Sequence, residues 1–182
     1  MTARARVLLC ANSTVRHEYW TGEALARLER IADWDWLPSE GVSTQAGVWG
    51  GPSDDPADAD RLRGRMGDID ILVVCHGAPY VDATLLEAAP RLRLIGELEG
   101  DRFANRIDVE AASARGIRVT DTTHGSSLPV SEWALALMMI GLRDAGAQFR
   151  RLIGGEEFRR SRDEYGYRRG ELTGRTVGLI GL

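Results

Sequence analysis

Apolar residues along this chain follow two periods. Runs such as Val7-Leu8-Leu9-Cys10 and Ile71-Leu72-Val73-Val74-Cys75 are unbroken, as expected of strands buried on both faces. Between such runs the apolar positions recur at helical spacing, for example at 24, 25, 28 and 31. The pattern predicts strands over 6–11, 69–75, 91–96 and 117–119, and a half-exposed strand over 33–37, where Asp and Trp alternate. It predicts helices over 21–31, 57–66, 82–89 and 108–115, the third ended by Pro90 and the last closed by Gly116. Strands alternating with helices argue for a parallel sheet covered on both faces.

The pattern changes near residue 120. A turn-rich linker, Asp121-Thr122-Thr123-His124-Gly125-Ser126-Ser127, leads to an almost wholly apolar stretch over 129–143. Pro129 suits the first turn of a helix there, and Glu132 suits the positive end of its dipole. A helix without a polar face is expected to be buried all round. A polar, arginine-rich segment over 150–169 follows, and then a last strand-like run, Thr176-Val177-Gly178-Leu179-Ile180-Gly181. A short apolar run ending in glycine is how a strand approaches a phosphate-binding turn, with Gly181 as the first glycine of a G-x-G-x-x-G fingerprint.

Composition narrows the function classes. The 182 residues are 43% hydrophobic and 27% charged, with a net charge of -4. That is ordinary for a globular protein and gives no basic footprint for nucleic acid. The N-terminal apolar run is too short for a signal peptide or a membrane span. Cys10 and Cys75 each sit at the end of an apolar run, as small buried hydrophobes do, which fits a cytoplasmic location.

Spacing separates the candidate chemistries. Asp54, Asp55, Asp58 and Asp60 lack the glycine and terminal glutamate of a calcium loop and read as a solvated loop entering a helix. His17, His76 and His124 have no metal-ligand spacing, so no metal site is expected. Ser126 and Ser127 read as helix caps rather than nucleophiles. His76-Gly77-Ala78-Pro79 differs because it directly follows a predicted strand, and ligands of open α/β sheets collect beyond the carboxyl ends of strands. The charged connector after Gly96 also follows a strand end, and reads either as a substrate-facing loop or as a solvated turn.

Four blocks occur together: Leu85-Leu86-Glu87-Ala88-Ala89-Pro90-Arg91-Leu92-Arg93-Leu94-Ile95-Gly96, Ile107-Asp108-Val109-Glu110-Ala111-Ala112 with Arg115-Gly116-Ile117, Pro129-Val130-Ser131-Glu132-Trp133-Ala134-Leu135-Ala136-Leu137, and Glu171-Leu172-Thr173-Gly174-Arg175 running into the final apolar stretch. In this order the chain resembles the D-isomer-specific 2-hydroxyacid dehydrogenases. The resemblance implies a flavodoxin-like parallel-sheet substrate domain over 1–120, followed by the start of a Rossmann NAD-binding domain over 121–182. It implies that His76, Gly77 and Ala78 face a small 2-hydroxy or 2-keto acid. It also implies that Pro79 and Gly181 lie toward NAD, with NADP equally compatible. The family loop often reads arginine-serine where this chain has His76 and Gly77, and the segment after Gly96 is longer and more charged than usual. Both departures point to a different acid substrate. In the family the apolar helix, here 129–143, packs at a dimer interface, so a homodimer is expected.

The chemistry implied is hydride transfer between nicotinamide and a D-2-hydroxy acid. A carboxylate-held histidine moves the hydroxyl proton, and an arginine binds the substrate. In the family those catalytic groups lie beyond the position of Leu182, so this chain alone is expected to be inactive. The competing expectation is a non-catalytic α/β module that binds a small ligand or a partner and homodimerises through the 129–143 helix.

Overall fold

The computed structural model describes residues 4–42, 51–98, 103–155 and 170–180. The chain divides into two compact units, Met1–Gly125 and Ser126–Leu182.

In the first unit β1 (Ala5–Ala11), β2 (Ala32–Pro38), β3 (Ile71–Val74), β4 (Leu94–Glu97) and β5 (Arg118–Thr120) form one parallel sheet in the order β2-β1-β3-β4-β5. The unbroken apolar runs become the inner strands β1 and β3. The alternating Asp-Trp run becomes the edge strand β2, where one side of each residue pair stays wet. Register is fixed by ladders such as Cys10 opposite Val74 and Val74 opposite Glu97.

One face of the sheet carries the main core. Leu8, Leu72, Val74 and Ile95 pack with residues from α3 (Pro56–Arg63), α4 (Ala83–Glu87) and α6 (Val109–Ala114), including fully buried Leu62, Leu86 and Ala112. The opposite face packs Val7, Leu9 and Ala32 against Leu25 and Leu28 of α2 (Gly22–Glu29). Further along that face Ile71, Val73 and Leu94 stay half-buried. The short α1 (Ser13–Glu18) seats Val15 beside Ala11 and Cys75.

Side-chain caps begin α1, α2, α3, α4 and α6. Asn12 accepts from the Val15 N–H, Thr21 from Ala24, Asp55 from Ala57, Asp82 from Leu85 and Asp108 from Ala111. Each satisfies a backbone donor that the first helical turn leaves without an intrahelical acceptor. Gly116, with φ +70°, ends α6 as expected. α2 stops short of its expected end. The chain must turn at Arg30 to enter β2, which leaves Ile31 exposed. The short helices α1 and α5 (Phe103–Arg106) have no visible periodicity in the sequence.

The second unit departs from expectation in four ways. First, α7 (Ser127–Leu142) starts two residues before Pro129, which puts Glu132 in the second turn, beyond the dipole's positive end. Second, Ser126 occupies the N-cap position but its side chain makes no capping hydrogen bond. Third, α7 has no buried residue, and Trp133 is 62% exposed. An all-apolar helix needs a covering layer on every side, and within this unit the described residues supply only α8 (Ala145–Ile153) and the segment 170–180. Fourth, residues 176–180 form no strand. A parallel strand exists only through ladder partners, and the described residues of this unit include none. Gly181 lies outside the described residues.

Candidate functional site

The strand order reverses between β1 and β3, and a crevice opens at such a switch point beyond the carboxyl ends of the strands. Here the crevice is floored by the turn after β1, the loop after β3 and the end of β4. The Asn12 N–H donates to the His76 carbonyl at 2.7 Å, closing the β1 and β3 turns onto each other. Gly77 then takes φ +89°. A Cβ on it would lie 1.9 Å from the Ser39 carbonyl oxygen, so both the backbone angle and the space require glycine. The Ala78 carbonyl accepts from the Ser53 N–H at 2.9 Å, and Pro79 bridges to Ser53.

This loop sorts the expected site residues. Gly77, Ala78 and Pro79 are buried behind the Ser53 strand bridge, while His76 is half-buried and lines a groove of about 540 Å³. The groove runs along the half-covered sheet face, lined by Leu9, Val73, Trp20, Leu28 and Leu98. Of the four loop residues, His76 is the one with side-chain area left to meet a ligand.

Two residues whose pairing sequence reasoning did not anticipate stand beside it: Glu97, which opens the charged connector but is buried at the end of a strand, and Arg106, just past that connector, of which residues 99–102 lie outside the described residues. Glu97 ends β4, and its side chain points to the same face as Ile95 by strand alternation. Arg106 ends α5. Its carbonyl accepts from the Val81 N–H at 2.7 Å, and the following Asp108 N–H donates back to the Val81 carbonyl at 3.0 Å. This double pinning holds Arg106 under the loop. Arg106 Nη1 lies 3.6 Å from Glu97 Oε1, with both side chains fully buried, and Arg106 Nη2 lies 3.4 Å from His76 Nδ1. A buried charge in a core requires a partner of opposite sign. The signal in the sequence was a glutamate in phase with the buried side of a strand.

A second buried polar group sits below β2. Ser53 Oγ donates to Asp58 Oδ2 at 2.6 Å, and Arg61 pairs with the same carboxylate. Burial pushes Asp58 upward, but the hydrogen bonds from Ser53 and Arg61 outweigh it and hold the carboxyl below its usual range. Asp58 is therefore a buried structural carboxylate rather than part of a solvated loop, whereas Asp55 does act as the helix cap. Burial, and then the nearby Asp58 charge, push the Cys10 thiol up to about 12, so it stays protonated and unreactive. Cys75 is also buried. His17 stacks edge-on against Trp36. Among the described residues no group of three or more His, Cys, Asp or Glu could hold a metal, and no helix is long and apolar enough to cross a membrane.

The described residues do not build a dinucleotide cradle. Residues 176–180 run without ladder partners, and Pro79 is buried and bridged to Ser53.

Comparison with known proteins agrees with the geometry. The solved phosphoglycerate oxidoreductase of Rhizobium etli superposes over 91% of this chain and 46% of its own, with a TM-score of 0.65 at 19% identity. An NAD-dependent formate dehydrogenase from Staphylococcus aureus, solved in complex with NAD, covers 90% of this chain and 44% of its own, with a TM-score of 0.53 at 19% identity. These likenesses establish the α/β fold. D-3-phosphoglycerate dehydrogenase of Methanocaldococcus jannaschii is 33% identical over 123 residues, 68% of this chain and 22% of that enzyme, so the chain spans about a fifth of its relative's length. The family model described as D-isomer specific 2-hydroxyacid dehydrogenase, catalytic domain, matches residues 45–167. Because that match covers most of the chain, the protein belongs to the D-isomer specific 2-hydroxyacid dehydrogenase family.

Proposed function

We propose that this chain supplies the substrate side of an NAD(P)-dependent oxidoreductase that moves hydride between nicotinamide and a D-2-hydroxy or 2-keto acid. The observation that carries the reading is His76, held at the switch point with its ring half-exposed while its neighbours are buried. In this reading residues 1–120 are the substrate domain and 121–182 begin the nucleotide domain. His76 hydrogen-bonds the acid, and the backbone at Gly77 and Ala78 shapes the loop. Pro79 and Gly181 lie toward the cofactor, NAD or NADP. The apolar α7, with Trp133, Leu135 and Leu137 exposed, is the surface on which two copies meet.

The acid-binding reading is tested by titrating the 182-residue chain with glyoxylate, hydroxypyruvate and 3-phosphoglycerate under amide and imidazole NMR. Shifts centred on residues 76–78 are expected with at least one acid. Saturable binding that leaves those residues unmoved overturns it. In nicotinamide absorbance assays with the same acids the chain itself is expected to show no turnover. Light scattering tests the association: Trp133→Glu should convert a dimer to a monomer, and a monomeric parent chain would refute it.

A further inference from the structure

We infer that Arg106, held by Glu97, is a positioning residue that locks His76 as the neutral tautomer carrying its proton on Nε2. The inference rests on the proposed role of His76 in binding the acid, and it specifies the form in which that ring meets its ligand.

A guanidinium has five N–H donors, no acceptor, and does not deprotonate in proteins. Arg106 Nη2 stands 3.4 Å from His76 Nδ1. A protonated Nδ1 would point a hydrogen at the guanidinium hydrogens, whereas a bare Nδ1 offers its lone pair to them. The pair is therefore satisfied only when the ring proton sits on Nε2. Arg106 has little freedom to move away. Its side chain is fully buried, its backbone is bonded to Val81, and Glu97 lies 3.6 Å from Nη1.

Glu97 has a second effect. A lone buried guanidinium beside an imidazole would be costly to bury. With Glu97 at the opposite edge the pair is neutral as a whole, and its local effect on His76 is that of a directed donor. Each member comes from a different element: Glu97 from the end of β4, Arg106 from the end of α5, and His76 from the loop after β3. The three meet only because Val81 and the 106–108 segment are hydrogen-bonded together. The ring so held presents Nε2–H as a donor without a formal charge. That donor suits a carboxylate or keto oxygen, and differs in kind from the double-donor cation of an arginine at the same loop position.

The test is the long-range 1H–15N spectrum of the imidazoles, recorded on the whole chain at about pH 8, above the ordinary histidine range near 6.5. The chain has three histidines, and His76→Gln assigns the signals of interest. The expected result is that His76 alone shows a single tautomer, with Nδ1 as the bare nitrogen. The double variant Glu97→Leu/Arg106→Met removes both buried charges together, and its His76 should relax to a tautomer mixture. A proton on Nδ1 in the parent chain overturns the inference, as does an unchanged Nε2–H tautomer in the folded double variant. A glyoxylate titration separates this from the reading beneath it: if His76 holds the expected tautomer but does not shift as glyoxylate binds elsewhere, the tautomer lock stands and the acid-binding role fails.

Discussion

The two units of this chain contrast in a way that apolar content does not anticipate. The most uniformly apolar helix, α7, lies in the second unit and buries none of its residues, while the first unit builds its core from helices with charged faces. What differs is the second layer. The first unit has a sheet for its helices to lie on, so Leu62, Leu86 and Ala112 reach zero exposure. The described residues of the second unit form no sheet for α7 to lie on, and Leu135 and Leu137 remain nearly half exposed. Hydrophobicity marks a surface that needs a partner, and packing depends on whether an opposing layer exists.

The largest effects should therefore fall in the first unit. Arg106→Met removes the cation beside the fully buried Glu97 and should cost about 3–5 kcal/mol, whereas Glu97→Leu/Arg106→Met, which removes both charges, should cost far less. Urea denaturation of both variants checks this, and a single variant as stable as the double would show that the pair is not buried as described. Leu72→Ala, in the middle of the sheet, should cost about 2–5 kcal/mol. Leu137→Ala on α7 should change unfolding by less than about 0.5 kcal/mol under conditions where the chain is monomeric. Equal costs for these two leucines would break the contrast between the units.

Acid stability gives a smaller test. The backbone N–H of Arg6 donates to Asp70 at 2.9 Å, and Arg91 donates to both its oxygens. The Arg6 bond, opposed by burial and aided by Arg91, holds the Asp70 carboxyl below its usual range. A carboxyl lowered in the folded state binds protons more readily once unfolded. Its contribution is thus complete above the ordinary aspartate range near 3.9, and is lost as pH falls through the lower folded value. Asp70→Asn should cost about 1.5 kcal/mol at neutral pH, and less as the pH is lowered below about 4. Urea midpoints measured across that range decide it. A constant deficit at all pH values would mean that Asp70 acts through packing rather than charge.

Much of the first unit was legible in the sequence because period and punctuation agreed. Unbroken Val7-Leu8-Leu9-Cys10 and Ile71-Leu72-Val73-Val74 became paired inner strands, and Gly116 ended a helix in the left-handed region. The sequence also marked the His76-Gly77 loop, because it directly follows a buried strand, and the structure shows that close approach at Gly77 requires glycine. It did not reveal Glu97 and Arg106 as a pair. They join only through the tertiary bonds that pin Val81 to the 106–108 segment, and neither residue carries a local sign of its partner. The expected strand over the last apolar run failed for a related reason: strand propensity is realised only when a neighbour supplies the ladder.

At the helix starts the contrast between the units takes its most local form. Every side-chain cap among the described helices lies in the first unit, from Asn12 to Asp108, while α7 and α8 begin at Ser126 and Asp144 without one. Asp82 and Asp108 have extended or near-extended backbones that aim the carboxylate at an N–H three residues on, at 2.8 Å in both cases. Ser126 has ψ 4°, a nearly helical value that turns its hydroxyl away from the first turn. Asp82→Ala should then cost about 1 kcal/mol, and Ser126→Ala no more than a few tenths. Both substitutions remove a residue of good capping propensity, so a sequence-based argument predicts similar losses. Backbone geometry predicts a threefold or greater difference in free energy, with amide hydrogen exchange of Leu85 accelerated in Asp82→Ala and exchange at the start of α7 unchanged in Ser126→Ala. If Ser126→Ala matches Asp82→Ala, α7 is capped in solution, and the second unit is better organised at its start than its exposed helix suggests.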